Sequence, residues 1–365
     1  MTTTAPVESA GRTQGDGSLA PVRAAIPDEC YQRSTRRGLV SVAVDVVLYA
    51  AVITALVLVD TWWLAVPLVL LAGLLVSSLF VLGHDAAHNA LTDNDKLNRI
   101  LARILFLPSL HVYEAWVLGH NRVHHGFTAR QGMDFVWHPI TPEEYAGWSR
   151  AARLRHRLEW SFLGAGAYYG REVWWNKMIS FRPPERYAAA IRRDWWLVAG
   201  FAAVATVASI AGGWALTGGL VGGLVLWLKV VVAPFLIFTQ VIGWTVYVHH
   251  VGPDIPWWTR REWTRLRAQT ESTTVLRMPA VLDRVFHHIF VHVPHHVDAR
   301  IPWYHLPEAA AAIESVTPVV DRPFRVRDYV RATRDCKLYD FDEQRWLTYA
   351  EAAAAPAAPA PSPAA

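Results

Sequence analysis

The chain has 365 residues, 53% of them hydrophobic, and a positive mean hydropathy, which argues against a pair of ordinary soluble domains because the apolar residues lie in uninterrupted runs. A net charge of +4 without a long Lys/Arg tract gives no electrostatic footprint for nucleic acid and suits a membrane protein with one basic face. Two distant cysteines, Cys30 and Cys336, argue against a disulfide framework, and reduced thiols are expected.

Residues 1–25 are small and polar, with no short apolar core of a cleavable leader, and are expected to be disordered. A single membrane domain is expected over 26–350, followed by a flexible Ala/Pro tail over 351–365. Four apolar runs, 39–59, 64–83, 195–217 and 220–244, are each long enough to cross a hydrocarbon core ~30 Å thick at ~1.5 Å per residue. The short breaks at 60–63 and 218–219 make each pair a helical hairpin, with Trp62, Trp63, Trp195, Trp196, Trp214 and Trp244 at span ends. The fold class expected is therefore all-α: two transmembrane hairpins under a cytosolic helical cap.

Neither hairpin turn contains Lys or Arg, whereas Arg33, Arg36 and Arg37 precede the first span and the segment 84–194 carries many more. The positive-inside rule then places both termini, the long middle segment and every histidine cluster on the cytoplasmic side of the cell inner membrane. Asp45 and Lys229 fall within spans, where a charge is costly, and an interhelical pair or snorkelling is expected of them. The basic run Arg150, Arg153, Arg155 and Arg157 reads as positive-inside charge, with docking of an acidic partner or anionic lipid as the alternative. The Trp/Tyr/Gly-rich stretch 158–178 reads as a segment lying along the interface.

Sixteen histidines are present. His111, His138 and His156 stand alone and are expected to be satisfied structural residues. Eight others form three clusters: His84 with His88, His120 with His124 and His125, and His292 with His295 and His296. The i,i+4 pairs place two rings on one face of an α-helix, and three such pairs on one side of a membrane imply a shared site. Imidazole suits Zn, Cu, Fe and Ni, but eight clustered rings exceed the roughly four ligands of one ion and point to two. Two such ferrous ions would bind and reduce O₂. His249, His250, His287 and His288 are further candidates for the shells, and Asp85 for orienting a ring. A metal transporter would line its path inside the spans, and none of the four runs contains a histidine.

At these residues the chain resembles the integral-membrane fatty acid desaturases, closest to their oleate (Δ12/ω6) branch. The three boxes are matched by His84-Asp-Ala-Ala-His88, His120-Asn-Arg-Val-His124-His125 and His292-Val-Pro-His295-His296. The segments 26–34, 301–306 and 334–339 are similar to that branch's terminal signatures, and Asp45 falls where it also carries an Asp. Thr245-Val-Tyr-Val-His-His250 is similar to the family segment ending in Gln-His, which implies His250, not His249, as a ninth ligand. The resemblance implies an O₂-dependent di-iron enzyme that inserts a double bond into a lipid-, ACP- or CoA-linked acyl chain. No flavin or nicotinamide fingerprint is found, so electrons are expected from a ferredoxin or cytochrome-type donor. The first box has Ala86-Ala87 where the branch has Cys-Gly, and the second has one residue more between His120 and His124. A hydroxylase or acetylenase on the same site is the alternative reading.

Overall fold

Helices longer than a bilayer is thick set the geometry. The computed structural model describes residues 17–354. Its four long apolar helices are Thr35–Leu58, Trp62–Ala87, Glu185–Thr217 and Leu220–His250, with 24, 26, 33 and 31 residues. At ~1.5 Å per residue the last two reach roughly 45–50 Å, so their ends must project beyond a ~30 Å hydrocarbon core. The apolar runs marked only their lipid-facing parts: the third helix begins at Glu185 and the fourth carries on through His249 and His250.

Local signals fix the ends. Ser34 Oγ accepts from the Arg37 N–H to cap the first helix. The third ends at Gly218, whose φ of 75° supplies the left-handed turn of the hairpin. The second span is the central one: its apolar 18-residue stretch is 56% buried within the protein, against 17% for the corresponding stretch of each of the others. The others present Val47, Val204, Val207 and Val221 outward, as lipid contact requires.

Both charges within the spans are partnered. Asp45 accepts from Ser78 Oγ at 2.6 Å and faces His287 Nε2 at 2.8 Å, so the first span, the second span and the segment before the third box meet there. Lys229 Nζ reaches the Val59 carbonyl at 2.5 Å, snorkelling to the first hairpin turn. Outside the spans, Arg103 clamps the helix Asp95–Leu105 to Glu114 at 2.8 Å and to Asp194 at 3.0 Å.

The remaining cap is helical apart from two small sheets. Thr274–Arg277 pairs in parallel with Val320–Pro323, and Leu338–Asp340 pairs antiparallel with Arg345–Leu347. The stretch 1–25 read as disordered lies partly outside the described residues. Its described part carries the helix Ala20–Ala24, because Leu19 and Val22 bury themselves with Cys30, Val293, Val297 and Leu306. At the other end the helix Tyr349–Ala354 is described, and the rest of the tail is not. Cys30 and Cys336 are free and buried.

The stretch 158–178 does more than lie along an interface. Ala165–Tyr168 and the π-helix Tyr169–Ile179 bury Tyr168, Tyr169, Val173 and Met178, while Leu163 and Trp175 stay exposed. Close approach to the fourth span depends on Gly243, where a Cβ would lie 2.4 Å from the Ala165 carbonyl oxygen. Gly243→Ala is expected to destabilise the protein by about 1–3 kcal/mol. Gly200→Ala, where a Cβ meets nothing within 4 Å inside a helix, should not lower the melting temperature and should raise it slightly. Thermal melting in detergent checks the pair.

Candidate metal centre

Each histidine is delivered by an element end. His84 lies in the last turn of Trp62–Ala87, with His88 at its C-cap. His120 and His124 lie in a π-helical stretch, Val117–His124, followed at once by His125. His249 and His250 end the fourth span, and His292, His295 and His296 share the short helix His292–Val297. Paired hairpins bring the ends of the second and fourth spans to one side, where the cap folds over them.

The rings sort into two groups. His84, His88, His120 and His295 each offer a nitrogen within 4.8 Å of the others, and so do His124, His250 and His296. His125 stands between: its Nε2 is 3.1 Å from the Nε2 of both His120 and His295, and its ring stacks on His296 at 4.4 Å. His292 belongs to neither group and stacks on His249 at 3.9 Å.

This grouping differs from the i,i+4 expectation. The π-helical stretch bonds the His125 N–H to the His120 carbonyl, five residues back, so His120 faces His125 while His124 turns to the other group. His295 and His296, neighbours in sequence, likewise divide. His287 and His288 join neither group. Both have positive φ, 47° and 53°, and their nitrogens turn to Asp45 and Asp283. His249 also stays outside, with both ring nitrogens unpartnered.

The donor chemistry fits metal ions. Outward-facing Nδ1–H groups donate to fixed oxygens: His84 to Asp85 at 3.3 Å, His124 to Asp134 at 3.0 Å, His250 to the Ser272 carbonyl at 3.0 Å, and His296 to Gln269 Oε1 at 2.7 Å. Such bonds fix the tautomer and leave Nε2 as the lone-pair atom. The Nε2 atoms of His84, His88, His250 and His296 are buried without any hydrogen bond, a costly state unless something else meets them. Burial first, then the neighbouring rings, holds His88, His120, His125, His292, His295 and His296 well below the usual imidazole range. They are neutral at pH 7, as a ligand must be.

Asp85 has the orienting position expected of it, and its other oxygen accepts from the Trp303 N–H at 3.0 Å. Asp134, Gln269 and Ser272 were not expected. They lie in loops or a short helix, without periodicity to mark them. Of the lone histidines only His111 is satisfied at both nitrogens, by Ser109 and Tyr169; His156 meets Tyr349 through Nδ1, but its Nε2 and His138 Nδ1 are buried without a hydrogen bond, against expectation.

An apolar cavity reaches the centre. Phe80, Val81, Trp116, Tyr169, Met178 and Ile242 form much of its wall, and His84, His120, His124, His249, His250 and His292 its polar side. Fold and site together define an integral-membrane protein whose histidine clusters are able to bind metal beside an apolar chamber.

Residues 61–327 match the fatty acid desaturase family, and the chain belongs to that family of oxidoreductases. It is 31% identical to the acyl-lipid omega-3 desaturase (cytochrome b5) of the endoplasmic reticulum from Arabidopsis thaliana, over 82% of this chain and 76% of the relative. It is 30% identical to the chloroplastic sn-2 acyl-lipid omega-3 desaturase (ferredoxin) of Helianthus annuus, over 84% and 68%. The sn-1 oleoyl-lipid 12-desaturase of Anabaena variabilis is 28% identical, over 79% of each chain.

Proposed function

We propose that the chain inserts a double bond into a lipid-linked acyl chain, of the Δ12/ω6 type, at a centre of two iron ions. The observation that carries this is the pair of imidazole groups, each of which brings a histidine with an unpartnered Nε2, His84 in one and His250 in the other, to the wall of one apolar cavity. His84, His88, His120 and His295 would hold one ion and His124, His250 and His296 the other, with His125 and His292 completing the set of nine. All-imidazole donor sets suit iron, and the iron would supply the O₂-activating redox chemistry.

The balance of the reaction is one CH₂–CH₂ unit, O₂, two electrons and two protons giving CH=CH and two waters. The chain's own residues position the reactants. Phe80, Trp116, Tyr169 and Ile242 exclude water and lay an extended chain past the histidines, so that one CH₂–CH₂ unit lies next to the centre. Asp85, Asp134, Gln269 and Ser272 hold the rings in register.

Two electrons come from a small external carrier, in keeping with the cytochrome b5 and ferredoxin in two relatives' names. The exposed Arg150, Arg155 and Arg157 offer such a carrier a basic face. The histidine centre and both termini face the cytoplasm, supported by hairpin turns that lack Lys and Arg.

Purified protein is expected to bind about two irons, as a nine-imidazole donor set requires. In a host making monoenoic but no dienoic chains, expression should yield dienes with the new bond at Δ12, read by mass spectrometry of derivatised chains. An ω3 bond formed only on supplied linoleate would move the regiochemistry. A hydroxylated chain, or protein purified with a single zinc, would refute the proposal.

A further inference from the structure

The apolar cavity has a polar neighbour. A second, more open chamber lies against it, and Phe135 and Lys177 line both. The charges of this second chamber are unequally engaged. Arg171 is chelated by both carboxylate oxygens of Glu159 and reaches Glu172 at 2.7 Å. Glu172 accepts a further bond from Asn176 at 2.9 Å. Lys177 is left with a long ion pair, 3.5 Å to Glu172, and a cation–π contact 5.5 Å from the centre of the Phe135 ring.

Lys177 is the only Lys or Arg that lines the apolar cavity, among the described residues, and its side chain is 38% exposed. A cation in an apolar wall is disfavoured unless an anion meets it, and its flexible stem lets the ammonium turn to either chamber. An acyl substrate is an amphiphile whose tail fills the apolar side and whose head must leave it at the polar end. A group with a full, weakly held positive charge selects an anion there rather than a sugar hydroxyl.

We infer that Lys177 anchors a phosphate of the substrate's head group, which the polar chamber houses. This rests on the apolar cavity being the acyl site. The phosphate has two possible sources, a glycerophospholipid or the phosphopantetheine of a carrier thioester.

The full-length protein, delipidated in detergent, separates them by native mass spectrometry with three oleoyl-bearing probes: phosphatidylglycerol, monogalactosyl diacylglycerol and coenzyme A thioester. Lys177→Met is expected to weaken binding of the phosphate-bearing probe about ten-fold, the worth of one charge-assisted contact. Lys177→Arg should retain binding, and the galactolipid should bind both variants as it binds the wild type. In reconstituted turnover the Met variant should raise KM far more than it lowers kcat. Loss confined to the thioester would assign the phosphate to a carrier. Equal binding of the phosphate probes to wild type and Lys177→Met, or equal loss for the galactolipid, overturns the inference. A Lys177-dependent affinity without any newly unsaturated product, from oleoyl or linoleoyl chains, would instead sink the desaturase reading and leave the anchor standing.

Discussion

Replacing His124 by alanine is expected to abolish diene formation and to lower bound iron from about two ions per chain to about one. The reason is the grouping of the rings. His124 shares its group only with His250 and His296, so its loss leaves two of that group's three imidazoles, too few to hold the ion even with His125 or His292 beside them, whereas His84, His88, His120 and His295 keep all four of theirs. His288→Ala is the contrasting variant: its ring is paired with Asp283 outside both groups, and it should keep both irons. Metal analysis of the two purified variants, beside their lipid profiles, checks the pair. A His124→Ala protein that retains both ions would place the second site elsewhere.

The sequence made the spans and the histidine clusters legible for one physical reason: lipid and metal each demand residue types that little else concentrates so densely. Apolar runs of about 20 residues and repeated i,i+4 imidazoles are such demands. Partner choice within the cluster was not legible, because it depends on a change of helical pitch. In an α-helix His120 and His124 share a face, but the π-helical stretch moves the match to His125. Nothing in the residues from Val117 to His124 announces that change.

His287 and His288 show the converse limit. As types they suited the metal, yet the positive φ at each turns them to carboxylates instead. One of those carboxylates is Asp45, over two hundred residues away in the first span, and its pairing was foreseen only as to kind. Asp134, Gln269 and Ser272 are polar residues of common types, so only their positions beside ring nitrogens reveal them.

Asp134→Asn is expected to lower iron affinity about 10–100-fold, the usual cost of removing a carboxylate that orients a ligating imidazole. The Asp134 carboxylate is fully engaged: one oxygen accepts from the Ala129 N–H at 2.9 Å, the other from the Val136 N–H at 3.0 Å, and both face His124 Nδ1 at 3.0 Å. Every one of those groups is a donor, so an amide NH₂ in place of an oxygen must confront one of them. If it confronts Nδ1–H, the ring loses its fixed tautomer and presents its Nε2 lone pair for only part of the time. If it confronts the backbone, the 129–136 turn shifts and carries the carboxamide away from the ring. Either way the centre is weakened rather than deleted, so turnover should recover as iron is raised, which a collapsed fold would not allow. Iron titration with turnover measured at each point distinguishes these cases, and an Asn variant with wild-type affinity and lost turnover would remove Asp134 from this positioning role.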